Sequence, residues 1–233
     1  YVRPRRPNGE WIENTNPYHA PGFCEGSAWQ FTWYVPHDVK SLINLIGERQ
    51  FIDRLNAGFA TSEKVSFNAL GDNMGAYPIN HGNETNMQAA YLFSYTSEPW
   101  HTQKWARAIQ EKYYGMGPRD AYPGAEDQGQ MSSWYILSSI GLFQMDGGCS
   151  KDPVWLLGSP RFDRVEILLD NTYYSGKKLI IKAENVSKDN CYIQYVRFNN
   201  KRLSNNYIEW SKLKKGGTLH FIMGDRPNPN AFK

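Results

Sequence analysis

The sequence lacks the long apolar run that a membrane-spanning helix requires, since no stretch approaches the roughly 20 residues that cross a bilayer. It also lacks a strong excess of one charge: 26 Lys and Arg residues stand against 23 Asp and Glu residues, for a formal net charge of +3. The basic clusters near Arg3 and Lys212 are short and isolated, whereas nucleic-acid-binding proteins usually gather basic residues into a patch. Composition therefore predicts neither a membrane span nor a nucleic-acid partner.

Cysteine is scarce as well. Cys24, Cys149 and Cys191 are an odd number, so they cannot all pair with one another, and none belongs to a CxxC motif. These features argue against a disulfide scaffold and against a CxxC-type zinc or redox site. The first residue is Tyr1 rather than Met, and no basic-then-apolar leader follows. We therefore expect a piece of a longer product, whose missing targeting signal carries no information about its compartment.

Aromatic residues, in contrast, are abundant: 8 Trp, 15 Tyr and 11 Phe. Hydrophobic residues make up 40% of the sequence and charged residues 21%, which is typical of a folded protein rather than a disordered chain. Flat apolar rings with polar edges suit both a large core and the binding of sugar rings. We favour the core explanation and keep sugar binding as the alternative.

The sequence follows a helical period up to about residue 145. Asp38 is placed to cap a helix that ends near Gly47, and Thr85 with Gln88 has the form of a capping box. Apolar residues at spacings of three and four predict helices over residues 39–46, 51–59, 87–95, 100–114 and about 128–142. Long loops rich in Gly and Pro join these helices.

Beyond Pro153 the period changes to two. Alternating apolar residues predict strands over residues 165–169, 178–182, 192–198 and 218–223. Residues 199–201 and 215–217 are hairpin-like breaks. The sequence therefore predicts an α+β chain in which residues 1–150 form a helical domain and residues 151–233 form an antiparallel β-sheet or a small β-sandwich.

Three junctions between a loop and a helix carry candidate catalytic residues. In the first, Glu25 stands beside Gly26 among aromatic residues. A carboxyl group held against apolar rings has a raised pKa and can serve as a proton donor. The alternative is that Glu25 supports the junction while Trp29 and Trp33 belong to the core, and Glu25 by itself favours this simpler explanation.

The second junction is the segment His81-Gly-Asn-Glu-Thr85, ahead of a predicted helix. Asn83 and Glu84 offer oxygen ligands of the kind that Ca²⁺ prefers, but two side chains are too few for the six to eight oxygens that this ion takes. Water or segments outside this sequence would have to complete the site. The alternative is that Glu84 and Thr85 only complement the positive end of the helix.

The third junction is the segment Tyr122-Pro-Gly-Ala-Glu-Asp-Gln-Gly-Gln130. Asp127 with Gln130 resembles a capping box, which is a complete structural explanation. The same position at a helix N-terminus also keeps Asp127 ionised, as a general base that activates water must be. A proton donor of raised pKa and an ionised base are together typical of glycoside hydrolysis, and the spacing alone suggests this chemistry without specifying it.

Five motifs, in the same order along the chain, resemble glycoside hydrolase family 92. They are Glu25-Gly-Ser-Ala-Trp-Gln-Phe-Thr-Trp33, Val35-Pro-His-Asp38, His81-Gly-Asn-Glu84, Pro99-Trp-His-Thr-Gln103 and Pro123-Gly-Ala-Glu-Asp-Gln-Gly-Gln-Met-Ser-Ser-Trp134. The resemblance extends from about Arg3 into the β region and implies the C-terminal part of a longer, calcium-dependent, exo-acting α-mannosidase. It also implies that the helices belong to an (α/α)6 barrel, which a β-sandwich precedes in the family.

The same resemblance implies roles for individual residues. Glu25 resembles the general acid and Asp127 the general base of an inverting mechanism, with Ca²⁺ held near Asn83 and Glu84. The implied substrate-binding residues, which lie in or beside the motifs, are Trp29, His37, His81, Tyr122 and Glu126. The implied substrate is an α-mannoside glycan, α-1,2-linked in N-glycans or mannan. The implied location is a periplasm, a cell surface or the medium into which the protein is secreted.

Two positions depart from the family pattern. Ala125 replaces a polar residue that could orient the attacking water, and Thr85 replaces a common proline. The alternatives to an active enzyme are a catalytically silent glycan-binding protein of the same fold and a chain whose β region alone binds the glycan. Because too few helices are present to close a barrel, we expect this chain by itself to have little mannosidase activity. Its partners would be the missing N-terminal β-sandwich and barrel helices.

Overall fold

The structure, a computed structural model, describes residues 1–13, 16–18, 22–68, 75–124 and 126–233. Contacts divide the chain into two compact units that alternate along the sequence. The first unit comprises Tyr1–Leu92 and Ala108–Ser133, and the second comprises Phe93–Arg107 and Trp134–Lys233. The predicted division near residue 150 follows the change from helix to strand instead, and it stays a prediction.

The helices follow the predicted pattern in part. Their bounds are α1 Ala28–Phe31, α2 Val39–Ile46, α3 Glu48–Ser62, α4 Glu84–Met87, α5 Trp100–Lys112, α6 Gln130–Ser139 and α7 Trp210–Leu213, with 3-10 segments at Glu63–Val65 and Ala89–Tyr95. Helix α2 confirms the prediction at both ends. Oδ1 of Asp38 accepts a hydrogen bond from the amide of Ser41 at 3.1 Å, and Gly47 follows the last residue with φ 89°. Among the described residues, no helix combines the length and the hydropathy needed to span a bilayer.

The capping box predicted at Thr85 and Gln88 is wrong. Asn83 precedes α4, and Thr85 lies inside the helix. The Asn83 side chain does not cap α4, because it donates to the carbonyl oxygen of Glu25 at 2.6 Å instead. The side chain of Gln88 bonds the carbonyl oxygen of Thr85 at 3.1 Å. The predicted single helix over residues 87–95 is replaced by the short α4 and a 3-10 segment.

The cap predicted for α6 at Asp127 is wrong for a reason that lies in the backbone. Residues 127–129 have φ values of 38°, 66° and 84°, a left-handed conformation that cannot continue into a right-handed helix. Helix α6 therefore begins at Gln130. The amide of Ser132, in the first turn of α6, donates a hydrogen bond to the carboxylate of Glu126 at 3.2 Å. Glu126 therefore caps the helix in place of Asp127.

Within the described residues, eight strands form two sheets. Their bounds are β1 Leu142–Phe143, β2 Val154–Leu157, β3 Arg164–Leu168, β4 Lys178–Glu184, β5 Tyr192–Phe198, β6 Lys201–Arg202, β7 Tyr207–Glu209 and β8 Gly217–Gly224. The smaller sheet has the order β1-β2-β7 and is antiparallel. The larger has the order β3-β4-β8-β5-β6 and is mixed, because β4 and β8 run parallel. The α+β class is confirmed.

One of the two predicted hairpin breaks is confirmed. Asn199 and Asn200, with φ values of 48° and 67°, join the antiparallel neighbours β5 and β6, as a tight hairpin turn requires. The break at residues 215–217 instead lies between α7 and β8, so it is not a hairpin. A glycine-rich break has the same appearance in sequence whether a strand or a helix precedes it.

The larger sheet buries one of its faces. Leu179, Ile181 and Ala183 of β4 are buried, and Leu219 and Phe221 of β8 continue the same core. The alternate residues of these strands are partly or fully exposed, because successive side chains of a strand point to opposite faces. One face therefore packs into the core of the second unit, and the other carries charged residues such as Lys182 together with Ile180 and Ile222.

The core explanation for the abundant aromatic residues is confirmed at several positions of the first unit. Trp33 meets Phe51 edge to face at 5.3 Å between ring centroids, and Phe59 meets Phe67 at 6.2 Å. All four side chains are fully buried. Such pairs stabilise a core beyond the area that they bury.

Candidate active site

Three loop-to-helix junctions bring carboxyl groups together in the first unit. The side chain of Glu84, the first residue of α4, is within hydrogen-bonding reach of the carboxyl group of Asp127, which lies just before α6. The charge of Glu25, which lies just before α1, also acts on Glu84. Residues from three separate sequence motifs therefore share one site.

Two amide side chains connect the first junction with the second. Nδ2 of Asn83 donates to the carbonyl oxygen of Glu25 at 2.6 Å, and Asn83 is buried. Nδ2 of Asn86, within α4, donates to the carbonyl oxygen of Gln30, within α1, at 3.1 Å. Side chains next to Glu84 in the sequence therefore fix the backbone at Glu25 and Gln30 through hydrogen bonds.

The second and third junctions meet at two glycines. A Cβ atom added to Gly124 would lie 2.6 Å from the Cα atom of Gly82, so the two backbones are too close for any other residue. The hydroxyl group of Tyr113 lies against both glycines, and its side chain is buried. Burial raises the pKa of Tyr113, and an interaction with the backbone of Gly124 opposes that shift. Tyr113 thus keeps its proton and fills the space between the loops that carry Glu84 and Asp127.

His81 supports the same loop from the inside. Its Nε2 atom is 2.8 Å from the hydroxyl oxygen of Tyr114, which donates to the carbonyl oxygen of Met131 at 3.2 Å. Burial lowers the pKa of His81 to about 3, so the ring is neutral. The substrate contact implied for His81 stays a prediction.

Both candidate catalytic residues have a left-handed backbone. The φ value is 51° at Glu25 and 38° at Asp127. Residues other than glycine seldom adopt this conformation, which persists only where the surroundings hold it and which is concentrated at functional sites. The bond from Asn83 and the close approach of Gly82 and Gly124 supply such surroundings.

The carboxyl groups of this cluster interact unfavourably when all are ionised. The hydrogen bond with Asp127 raises the pKa of Glu84 most, burial raises it further, and the negative charges of Asp127 and Glu25 add to the shift. Neighbouring carboxylates favour a proton on one of them because like charges repel. The cluster therefore attracts a proton or another cation.

The environment of Glu25 differs from the prediction made for it. Glu25 is exposed, whereas Trp33 packs on Phe51 and Trp29 stacks on Tyr18 at 5.6 Å. The prediction that nearby aromatic rings enclose this carboxyl group is wrong for the described residues, because those rings pack into the unit instead.

The other predicted site residues lie at different depths. Tyr122 and His37 are exposed, and Trp29 is half-buried. Glu126 bonds the first turn of α6, which is a structural role that leaves its substrate contact a prediction. Ala125 lies outside the described residues. No motif contained Tyr113 or Tyr114, and the available signal was only an adjacent tyrosine pair at the end of a predicted helix.

The described residues do not by themselves supply a complete set of charged metal ligands. In the part of the chain that the structure describes, no group of three or more His, Cys, Asp or Glu side chains is arranged to hold a metal ion. The calcium site implied at Asn83 and Glu84 therefore stays a prediction. A cavity of about 560 Å³ is lined by residues of the N-terminal segment, α2 and α3, among them Leu42 and Arg54, and by none of the predicted site residues.

Comparison with known proteins decides the family. Residues 1–225 match the glycosyl hydrolase family 92 catalytic domain. The chain belongs to glycosyl hydrolase family 92. A family 92 α-mannosidase from Bacteroides thetaiotaomicron is 33% identical and has a TM-score of 0.83, over 99% of this chain and 29% of that chain. A family 92 inverting mannosidase from Bacteroides thetaiotaomicron VPI-5482 is 30% identical, with a TM-score of 0.80, over 97% of this chain and 31% of that chain.

A relative from Arthroderma benhamiae is an uncharacterised secreted glycosidase. It is 28% identical over 244 residues, which cover 96% of this chain and 28% of the relative. The family 92 chain therefore spans less than a third of the length of these relatives. Its helices are only part of the barrel that the resemblance implies.

We expect Gly82→Ala to destabilise the family 92 chain and Tyr113→Phe to restore part of the loss. The added Cβ meets the hydroxyl group of Tyr113, while the ring carbon that bears it is 3.4 Å away and the Cα atom of Gly124 is 3.1 Å away. The free energy of unfolding should fall by about 1–3 kcal/mol, as overpacking usually costs. Denaturant unfolding of the single and double variants measures the coupling.

Gly124→Ala is the matched control for this cycle. Its Cβ meets the backbone of Gly82 at 2.6 Å, and removing the Tyr113 hydroxyl leaves that clash in place. Tyr113→Phe should therefore rescue Gly82→Ala only. Equal rescue of both glycine variants would contradict the role assigned to the hydroxyl group.

We expect Glu84→Gln to stabilise the chain at neutral pH without divalent cations, because it removes a charge that Asp127 and Glu25 repel. The folded-state pKa of Glu84 is raised, so the folded state binds more protons than the unfolded state just above the ordinary glutamate pKa. Wild-type stability therefore declines as the pH rises through that interval. The gain should vanish below the ordinary glutamate pKa, as measured by urea unfolding at several pH values. The control is Glu111→Gln, at an exposed position of α5. If this variant raises the free energy of unfolding by a similar amount, the effect comes from net charge and not from repulsion within the cluster.

Proposed function

We propose that the chain is the C-terminal part of an inverting, exo-acting α-mannosidase that releases mannose from α-mannoside glycans, α-1,2-linked in N-glycans or mannan. The observation that carries this proposal is that three separate motifs come together in one unit. Asn83 bonds the carbonyl oxygen of Glu25, and Gly82 lies against Gly124. The side chain of Glu84 reaches that of Asp127. Glycoside hydrolysis with inversion uses one carboxyl group as acid and another as base. The similar solved structures are an α-mannosidase and an inverting mannosidase, which supports both the sugar and the stereochemical outcome.

In this mechanism Glu25 protonates the glycosidic oxygen while the bond to the leaving sugar breaks. Asp127 takes a proton from the water that attacks the anomeric carbon on the opposite face. Both side chains are exposed, as groups that reach a substrate must be. Inverting enzymes separate the two carboxyl groups by about 6.5–9.5 Å to admit the water. Glu84 interacts with both Asp127 and Glu25, which supports the placement of these two carboxyl groups in one site.

Asn83 and Glu84 fit a Ca²⁺ ion in the type of atom they offer, since this ion takes oxygen ligands. Nδ2 of Asn83 bonds the carbonyl oxygen of Glu25, which leaves its Oδ1 atom for a cation. The hydrogen bond with Asp127 and the nearby negative charges raise the pKa of Glu84, and a cation would offset those charges. Bound Ca²⁺ would supply positive charge and attachment points for sugar hydroxyl groups, with water and other segments as its remaining ligands.

Other segments of a longer enzyme complete the site in this proposal. The chain spans 28% to 31% of the relatives' length, and an exo-acting site must enclose the terminal sugar. This chain by itself therefore has little activity, because an open site leaves its carboxyl groups in a high dielectric where they act weakly. The secreted relative supports a location outside the cytoplasm, in a periplasm, at a cell surface or in the medium.

In the full-length enzyme, Glu25→Gln should lower kcat on α-1,2-mannobiose by about 10²–10⁴-fold, the usual contribution of general acid catalysis. An activated aryl mannoside should be affected much less, because its leaving group departs without a proton. Asp127→Asn should lower kcat on both substrates, because the water then lacks a base. Steady-state kinetics on the two substrates measures the contrast, with Glu111→Gln as the control. Equal losses on both substrates for Glu25→Gln would make Glu25 a structural residue.

Ca²⁺ should raise the thermal midpoint of the wild-type full-length enzyme and raise that of Glu84→Gln much less. A ligand that binds only the folded state stabilises it by about 2.7 kcal/mol at a concentration of about 100 times Kd. Mg²⁺ should be weaker, because it demands strict octahedral geometry and keeps its water. Scanning calorimetry measures this effect independently of activity. Equal shifts in the wild type and the variant would remove Glu84 from the metal site.

A further inference from the structure

The larger sheet carries a line of basic side chains that no single stretch of sequence contains. Strand pairing places Arg164 opposite Lys182 and Lys182 opposite His220. It also places His220 opposite Arg197 and Arg197 opposite Arg202. Each of the five strands thus contributes one residue, and we refer to these five residues as the basic row.

The basic row lies on the outward face of the sheet. Directly paired residues of neighbouring strands project from the same face, and residues adjacent to the row in sequence, such as Ile181 and Leu219, belong to the buried core. Lys182, Arg197 and Arg202 are exposed. Within the described chain, the row is therefore accessible to solvent.

Basic residues oppose each other at every step along the row. Oppositely charged pairs stabilise directly paired positions, whereas like charges there destabilise a sheet. Two of the four pairings, Arg164 with Lys182 and Arg197 with Arg202, nevertheless join two cationic side chains. The other two join a cationic side chain to His220, which carries a charge only when it is protonated. A local conflict that occurs at both ends of one row indicates that the charge has a function, because conflicts of this kind are concentrated at functional sites.

Two carboxylates on the same face offset part of this charge. Glu166 forms ion pairs with Arg164 and, at 2.8 Å, with Lys178. Glu184 contacts Nε2 of His220 at 2.9 Å. The two carboxylates thus pair with the row members on β3 and β8, Arg164 and His220. The other three members form no ion pair with either carboxylate.

The remaining members, Lys182, Arg197 and Arg202, have no ion-pair partner among the described residues. The guanidinium groups of both arginines lie near the ring of Tyr195, at 5.0 and 5.4 Å from its centroid. Arg202 also donates to the carbonyl oxygen of Asn230 at 3.1 Å. These contacts orient the guanidinium groups and leave their charge without a counterion.

We propose that the basic row binds an anionic polysaccharide, a linear glycan that carries carboxylate, sulfate or phosphate groups on successive sugars. Neighbouring strands lie about 4.8 Å apart, so five strands extend the row over about 19 Å. A single small anion does not reach along that length, whereas a linear polyanion neutralises several members at once. All five residues belong to the second unit, so this inference does not depend on the mannosidase proposal.

A single-stranded nucleic acid is a poorer match for this surface. Such strands bind where a basic groove is combined with aromatic rings that stack on the bases. The ring beside the row, that of Tyr195, is already in contact with two guanidinium groups. The row therefore offers charge at intervals without a stacking surface of its own.

The test compares Lys182→Gln/Arg197→Gln with Lys214→Gln/Lys215→Gln, which makes the same change in net charge at exposed positions between α7 and β8. The probe is a heparin oligosaccharide, titrated into each form of the full chain at two salt concentrations, with neutral mannan as the uncharged comparison. We expect the wild type to bind heparin more weakly at higher salt. The basic-row variant should bind it at least about tenfold more weakly, and the control variant should bind it like the wild type.

Thermal unfolding separates loss of the site from loss of the fold. The basic-row variant removes repelling neighbours, so its midpoint should equal or exceed that of the wild type, and the single variant Lys182→Gln should lose affinity in the same direction. Equal losses in the basic-row and control variants, absent heparin binding, or equal affinity for single-stranded DNA of the same charge would each overturn the proposal. The mannosidase proposal would be unaffected by any of these results.

Discussion

The arrangement of the first unit depends on the close approach of two backbones at Gly82 and Gly124. Only residues without a Cβ atom allow the two loops to meet, and the buried hydroxyl group of Tyr113 fills the space beside them. Contact between the side chains of Glu84 and Asp127 follows from that meeting. The absence of side chains at these two glycines therefore permits the loops that carry Glu84 and Asp127 to lie side by side.

A site assembled in this way opposes the stability of its own unit. Carboxylates repel each other, and left-handed backbones at Glu25 and Asp127 are strained conformations for residues other than glycine. The groups behind the site offset this cost. The Asn83 side chain bonds the carbonyl oxygen of Glu25, and the neutral, buried ring of His81 adds no charge of its own. Neutral buried side chains thus hold the loops that carry the charged carboxyl groups. This arrangement suits a site that binds a cation or moves a proton.

In the second unit, positive charges repel each other as the carboxylates do in the first unit. On its larger sheet, basic residues oppose each other from Arg164 on β3 to Arg202 on β6, where opposite charges would stabilise the pairing. The buried face of that sheet supplies the stability that permits this, since residues such as Phe221 and Leu219 are completely buried. In both units a well-packed core supports a cluster of like charges that a ligand of opposite charge would neutralise.

The sequence by itself determined the family, the change from helix to strand and elements such as α2 with its Asp38 cap, because motifs, periods and caps are properties of neighbouring residues. It also named Glu25, Glu84 and Asp127 as candidates. It misplaced the caps at Thr85 and Asp127, because the local geometry there is set by distant contacts and by left-handed backbone. Only the tertiary structure decided that Glu84 reaches Asp127 close to Glu25 and that five basic residues form one row. Both arrangements depend on contacts and strand register between segments far apart in the chain, and no local pattern records them.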